Sequence, residues 1–324
     1  MINLNDIQGG VSHCYQDIFL SGNEDAYQVW REHKLAGSAQ LNQASIVKLS
    51  SFSQPIRMER LQLLKQVEAN NFAIYQLEKT ESEKQLRSEL ISFCKSLGLF
   101  RPEINRSQAR DGIVSIQVEE SAIGAGYIPY SSKPLSWHTD GYYNASSKRI
   151  KGMVLHCVRD AFDGGANELF NHEIAYIRLR DANPSYITAL QHHQAMTIPE
   201  NKDQRSQYRP PSVGPVFFLD DITGRLQMRY SARGRNIIWR DDRDTMNARA
   251  LLAEVMNNDP MIVRHKLLPG QGIISNNILH NRTRFTNREE EYSSSRLLYR
   301  IRYLDPVRNL KDTTNQGMLQ GGSP

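Results

Sequence analysis

The sequence predicts a mainly β fold, a sandwich or barrel that carries helices at its N-terminal end and between some of its strands. Two observations predict it. From Gly112 onward, short aliphatic and aromatic runs recur at residues 113–118, 153–158, 216–219, 226–230, 261–267, 272–275 and 297–303, with turn residues between them. Many short strands with that punctuation form sandwiches or barrels rather than a doubly wound parallel sheet. Before residue 113 the apolar residues instead recur mainly at helical spacing.

Ile56, Leu61, Leu64 and Val67 fit one amphipathic helix, and Phe72-Ala73-Ile74-Tyr75 reads as a strand. Thr80 followed by Glu83 makes a capping-box pattern. It opens a helix with apolar face Leu86, Leu90, Phe93, Cys94 and Leu97, and Gly98 stands where such a helix ends. Within the β part, residues 221–224 (Asp-Ile-Thr-Gly) form a hairpin turn and Pro269-Gly270 another turn. Helical stretches at 172–181 and 243–256 interrupt the strands. The expected organisation is one domain over residues 1–324. Residues 1–112 form a helical part packed on the core, 113–303 the β core with the functional site, and 304–324 a tail.

Of the 324 residues, 39% are hydrophobic and 23% charged, enough apolar side chain for a sizeable core. The formal charge is +5 and the pI about 9.0. The basic residues alternate with acids, as in Arg240-Asp241-Asp242-Arg243-Asp244, which is a mixed solvated surface rather than a nucleic-acid groove. Three cysteines, Cys14, Cys94 and Cys157, lack CxxC spacing and argue for a reducing compartment. No apolar run approaches a membrane span, and the N-terminus lacks a signal-peptide pattern, so a cytoplasmic location is expected.

The chemistry centres on Ser136-Trp137-His138-Thr139-Asp140-Gly141. On an extended segment His138 and Asp140 project to one side, with Thr139 opposite. An imidazole and a carboxylate so placed are two ligands of a 2-His-1-carboxylate triad, which leaves open positions on an iron(II). Taken alone, such a triplet arises often by chance. A third ligand, His280, follows a Pro-Gly turn far downstream. By itself it reads more readily as a histidine satisfied in the core or on a loop. Residues 296–303 then alternate. Leu297, Tyr299, Ile301 and Tyr303 occupy one face, and Arg296, Leu298, Arg300 and Arg302 the other. Arg296 and Arg300 stand ~13 Å apart on their face at ~3.3 Å per residue. If that face is interior, its guanidiniums require anions such as a dicarboxylate. The alternative is an exposed basic face on an edge strand.

His-Thr-Asp, a distal His and then Arg-x-x-x-Arg together resemble the taurine dioxygenase and clavaminate synthase-like (TauD/TfdA) family of Fe(II)/2-oxoglutarate-dependent oxygenases, over about residues 113–303. The resemblance implies a double-stranded β-helix, or jelly roll. It implies Fe(II) held by His138, Asp140 and His280, with 2-oxoglutarate and O2 as co-substrates and succinate and CO2 released. It assigns the far carboxylate of 2-oxoglutarate to Arg296 and an anionic group of the primary substrate to Arg300. The family's Gly-Gly-x-Thr segment reads Gly164-Gly165-Ala166-Asn167 here, which places Asn167 at the position of a co-substrate-binding Thr. The ligand is Asp140, not Ala or Gly, which argues against a halogenase variant.

The substrate expected is a small anionic molecule bearing a carboxylate or sulfonate and resembling an amino acid. Tyr142 and Tyr143 follow the ligand aspartate and either line that pocket or simply pack. Arg300 either meets substrate or pairs with an internal acid. A loop over residues 127–137, with Pro129 and Pro134, is a candidate lid. The competing readings are an oxygenase of nucleic acid or protein and a non-catalytic jelly-roll metal- or ligand-binding protein. Neither a membrane nor nucleic acid is expected as partner, and homo-oligomerisation is left open.

Overall fold

The computed structural model describes residues 18–19, 23–41, 46–53, 55–78, 82–104, 111–118, 128–201, 208–220, 223–234, 237–287 and 295–309. Cys14, Thr80, Tyr127, Asp221, Ile222 and the end of the expected tail lie outside them. In chain order the elements are α1 (Glu24–Leu41), β1 (Val47–Leu49), α2 (Arg57–Asn70), β2 (Phe72–Leu77), α3 (Glu83–Ser96), β3 (Val114–Ile116), β4 (Leu135–His138), β5 (Gly152–Arg159), β6 (Asp163–Gly164) and β7 (Asn167–Phe170). They continue with α4 (His172–Ala182), α5 (Pro184–Gln191), β8 (Met196–Ile198), β9 (Ser212–Gly214), β10 (Phe217–Leu219), β11 (Leu226–Met228), β12 (Ile238–Trp239) and α6 (Arg243–Asn258). The last five are β13 (Val263–His265), β14 (Gln271–Ser275), β15 (Leu279–Arg282), β16 (Phe285–Thr286) and β17 (Leu297–Tyr303). Among the described residues no helix is long and apolar enough to cross a membrane.

The chain divides into two compact units, residues 1–42 with 170–262 and residues 43–169 with 263–324. The second is a β-sandwich. Its larger sheet has the order β1-β2-β14-β5-β17-β3, antiparallel apart from the parallel β1–β2 pair, and its smaller one the order β13-β7-β15-β4, with β13–β7 and β15–β4 antiparallel. Leu155, Cys157, Ile273 and Leu298 of the larger sheet share one apolar cluster with Leu169 of the smaller. The opposite face of the larger sheet is also covered. Tyr75, Val154, Ile274, Tyr299 and Ile301 pack there with Leu63 and Val67 of α2 and Leu86, Leu90, Phe93 and Cys94 of α3. Burial on both faces explains the near-continuous apolar run of β5. Each large side chain withdrawn there contributes roughly 1.5–3 kcal/mol.

The sheet begins earlier than residue 113, because β1 and β2 enter it. The face expected for α2 also differs in part. Ile56 is its exposed N-cap, while Leu63 and Val67 are the apolar residues it buries. The face of α3 is buried as expected, and Gly98 follows its C-cap with φ 82°.

The first unit holds α1, α4, α5, α6, the β12-β8-β9 sheet and the β10–β11 hairpin. Phe19, Trp30, Tyr176 and Phe217 form its aromatic centre with edge-to-face contacts, and a buried Lys34–Glu173 ion pair, 2.7 Å apart, lies in the same unit.

Candidate active site

β4 and β15 are antiparallel neighbours in the smaller sheet, and their register sets His138 directly opposite His280. Their ring centroids are 4.3 Å apart. Asp140, two residues past His138, completes a group whose ligand atoms all lie within 4.8 Å of one another. Each histidine spends its Nδ1–H on the carbonyl two residues before it. His138 donates to Ser136 at 2.8 Å and His280 to Ile278 at 3.0 Å. A carbonyl can only accept, so Nδ1 carries the hydrogen and Nε2 keeps a bare lone pair, the form that binds metals. Oδ2 of Asp140 is buried without a hydrogen-bond partner. This donor set fits a divalent iron with open coordination positions.

Asp140 is fixed through its backbone. Asn277 accepts from the Asp140 N–H at 2.7 Å and donates to the Asp140 carbonyl at 3.0 Å and to the Ile150 carbonyl at 2.8 Å. Asn277 does so from a left-handed backbone, φ 51°, which asparagine tolerates better than most residues. Burial acts to raise the Asp140 carboxyl, but the guanidiniums of Arg300 and Arg302 outweigh it and hold the group below the usual carboxylate range. Arg300 approaches Oδ1 at 3.4 Å and Arg302 at 3.9 Å. Burial, with His280 next in weight, lowers the His138 imidazole well below its ordinary value.

A cavity opens on this group. Pro129, Leu135, Asn167, His138, His280, Arg282, Arg296, Leu298 and Arg300 are among the residues lining it. The alternation expected in β17 therefore holds: Arg296, Leu298 and Arg300 face the cavity, and Leu297, Tyr299 and Ile301 face the helices. Arg296 is buried, and its guanidinium lies over the Phe285 ring, 4.8 Å from the centroid. Burial lowers it to about 10. The Asn167 side-chain nitrogen is buried without a partner. The Gly164-Gly165 turn brings Asn167 here. A Cβ on Gly164, at φ 68°, would lie 2.2 Å from the Arg284 carbonyl.

The expected tyrosines stand further back. Tyr143 accepts a hydrogen bond from Arg302 at 3.0 Å and meets Tyr142 edge-on at 5.2 Å; neither is among the residues bordering the cavity. Arg302, Glu103, Asn277 and Arg282 also shape the site, without a specific role expected of them from sequence. Arg302 pairs with Glu103, which also accepts from Asn144 at 2.7 Å, so a residue near the N-terminal helices braces the turn after Asp140. The face shared with Arg296 and Arg300 was a usable signal for Arg302. An asparagine pair closing β14 was one for Asn277. Nothing local marks Glu103.

A sequence profile described as "Taurine catabolism dioxygenase TauD, TfdA family" matches residues 84–302. The curated uridine-5'-phosphate dioxygenase of Amycolatopsis sp is 35% identical over 98 residues, 29% of this chain and 33% of that protein. The match thus spans about a third of that relative's length. An asparagine oxygenase solved with Fe(II), 2S,3S-3-hydroxyasparagine and succinate is similar in structure, with TM-score 0.53 and 16% identity over 85% of this chain and 91% of that one. The non-heme iron oxygenase OrfP, solved with Fe, succinate and (3S)-hydroxy-L-Arg, gives TM-score 0.56 and 13% identity over 88% and 94%. These likenesses extend to the jelly-roll fold. With two thirds of its length under the family profile, the chain belongs to the TauD/TfdA dioxygenase family.

Proposed function

We propose that this protein is a 2-oxoglutarate-dependent iron(II) oxygenase that oxidises a small anionic, amino-acid-like substrate. His138, Asp140 and His280 hold the iron, and Arg296 with Asn167 holds the far carboxylate of 2-oxoglutarate. The observation that carries this reading is a set of polar groups converging on one cavity: two imidazole Nε2 atoms left free by the Nδ1 bonds, the buried and unpartnered Asp140 Oδ2 and Asn167 amide, and the buried Arg296 beside them. Buried polar groups seldom go unpaired unless a ligand completes them. Iron, when bound, supplies the redox chemistry that couples O2-driven decarboxylation of 2-oxoglutarate, to succinate and CO2, with oxidation of the substrate. The protein's own share is positioning: Arg296 forks the carboxylate, Leu298 and Leu135 keep the cavity apolar between the charges, and Asn277 sets the Asp140 backbone.

Charge supports the anionic substrate. The charges of iron and 2-oxoglutarate cancel, Asp140 offsets one of the three guanidiniums that line the cavity, Arg282, Arg296 and Arg300, and Arg302 is neutralised by Glu103. Two positive charges are left on the arginines of the loaded cavity. Such a field draws in a carboxylate, sulfonate or phosphate. The relatives' names span an amino amide, a guanidino amino acid and a nucleoside monophosphate. Two thiols free of disulfides, Cys94 and Cys157, suit a reducing cytoplasm.

The test is anaerobic. Fe(II) and 2-oxoglutarate added to the purified protein are expected to give a weak visible charge-transfer band near ~500 nm, as chelation to a triad-bound iron does. His280→Ala is expected to abolish it. Iron-loaded wild-type protein without the band would refute the proposal. Amino acids and uridine-5'-phosphate, screened for faster succinate release, then sort the substrate class.

A further inference from the structure

Arg282 lies two residues beyond His280 on β15, is buried, and lines the same cavity as the iron ligands. Its guanidinium donates to three backbone carbonyls of one short segment. These are Pro129 at 3.3 Å, Ser131 at 2.7 Å and Lys133. The Phe285 N–H adds a fourth tie, to the Ser132 carbonyl at 3.2 Å. The segment starts as a single 3₁₀ turn, Ile128–Tyr130, and runs on into β4, which carries His138. Its Pro129 borders the cavity. Carbonyls at alternate positions that converge on one point repel each other unless a cation sits between them. A planar fork of five donors can serve three at once, which a lysine ammonium cannot do in that plane.

The same guanidinium lies over the Phe285 ring, 4.8 Å from its centroid, and the Arg296 guanidinium lies 4.8 Å from that centroid too. Both distances are within the range of cation–π attraction. Gly165 packs beside them, its hydrogen where a Cβ would stand 3.4 Å from Phe285 and 3.5 Å from Arg296 Nε. One continuous chain of contacts thus runs from segment 129–133 through Arg282 and Phe285 to Arg296.

We propose that Arg282 is a positioning residue: it clamps segment 129–133 as a wall of the reaction cavity and, through Phe285, fixes the guanidinium that receives the co-substrate. The second half rests on the 2-oxoglutarate reading above; the first does not. Arg282→Lys keeps the charge and loses the fork. Amide hydrogen exchange over residues 130–135 is expected to rise, and 2-oxoglutarate affinity, measured by calorimetry on Mn(II)-loaded protein, to fall roughly tenfold, the scale of losing a group that orients a ligand. Phe285→Leu keeps apolar bulk and the backbone bond to Ser132. It is expected to weaken 2-oxoglutarate while leaving exchange in 130–135 slow. Unchanged exchange in Arg282→Lys would overturn the clamp. Faster exchange with unaltered affinity in both variants would overturn the link to Arg296 and leave Arg282 as packing alone. Should the wild-type protein itself not bind 2-oxoglutarate, the functional reading fails, and the exchange rates by themselves decide the clamp.

Discussion

On one face of β17, Leu297, Tyr299, Ile301 and Tyr303 close an apolar core with α2 and α3; on the other, Arg296, Leu298 and Arg300 border the cavity beside His138 and His280. Both faces are largely withdrawn from water, so burial does not distinguish them. Satisfaction does. The apolar face already has every contact it needs. Arg302 has an acid, Glu103, and the Tyr143 hydroxyl as partners. Arg296 has no such partner among the described residues, and a buried cation left that way lowers stability until an anion arrives. One strand therefore carries a face that serves folding and a face that serves a ligand.

The largest effect that would sharpen this contrast comes from Arg296→Ala. Losing a forked, charge-assisted contact of roughly 3–4 kcal/mol should weaken 2-oxoglutarate by two to three orders of magnitude. The melting temperature should hold or rise, since an unpaired buried charge is removed. Titration of the charge-transfer band and a thermal melt read both. Ile301→Ala, one residue past Arg300 on the opposite face, should show the reverse pattern. Stability falls by about 2–5 kcal/mol in urea unfolding while 2-oxoglutarate affinity stays within about twofold. If either variant moves both readouts alike, the division between the faces fails.

A pH dependence belongs to the folding face. His156 lies on that side of β5, buried, with Tyr75 Oη 3.1 Å from its Nδ1, and burial pushes it down to about 4. Between its ordinary 6.5 and that value the unfolded chain takes up a proton that the folded one refuses. Stability from this group is therefore intact above pH 6.5 and falls as pH drops, by about 3 kcal/mol in full. Urea midpoints at several pH values should decline in the wild type and decline less in His156→Gln. The smallest effect expected is at Asn167. Removing one neutral donor in Asn167→Ala should cost about 1 kcal/mol, or roughly fivefold in 2-oxoglutarate affinity. No change there would leave Arg296 alone in holding the co-substrate.

Much of the site was legible because strands encode direction in parity. His138 and Asp140, and Arg296 and Arg300, are each an even number of residues apart, and each pair turned out on one side. The illegible parts come from distance and from brevity. Glu103 reaches Arg302 because the Glu103 N–H bonds the Arg302 carbonyl at 2.7 Å, a pairing that no local pattern announces. β1 has three residues, too few for a period to register, and its place in the sheet is set by pairing with β2. In α2 the expected face holds at Val67, which is buried, and at Leu64, which packs against the core, and fails at Ile56. Ile56 belongs to the cap, and the buried stripe adds Leu63 to Val67. Tyr142 and Tyr143 were ambiguous because aromatic side chains beside a ligand pack as readily as they recognise, and Tyr143 is engaged by Arg302.

The two Nδ1–H bonds to Ser136 and Ile278, with the Asn277 brace on Asp140, have a kinetic consequence. The ligand rotamers and tautomers are selected while the chain folds, not when the ion arrives. Metal uptake then involves little reorganisation, and its speed is set by passage through the cavity mouth. An apoprotein built this way waits in the loaded shape, and exchanging one divalent ion for another should leave its backbone where it was.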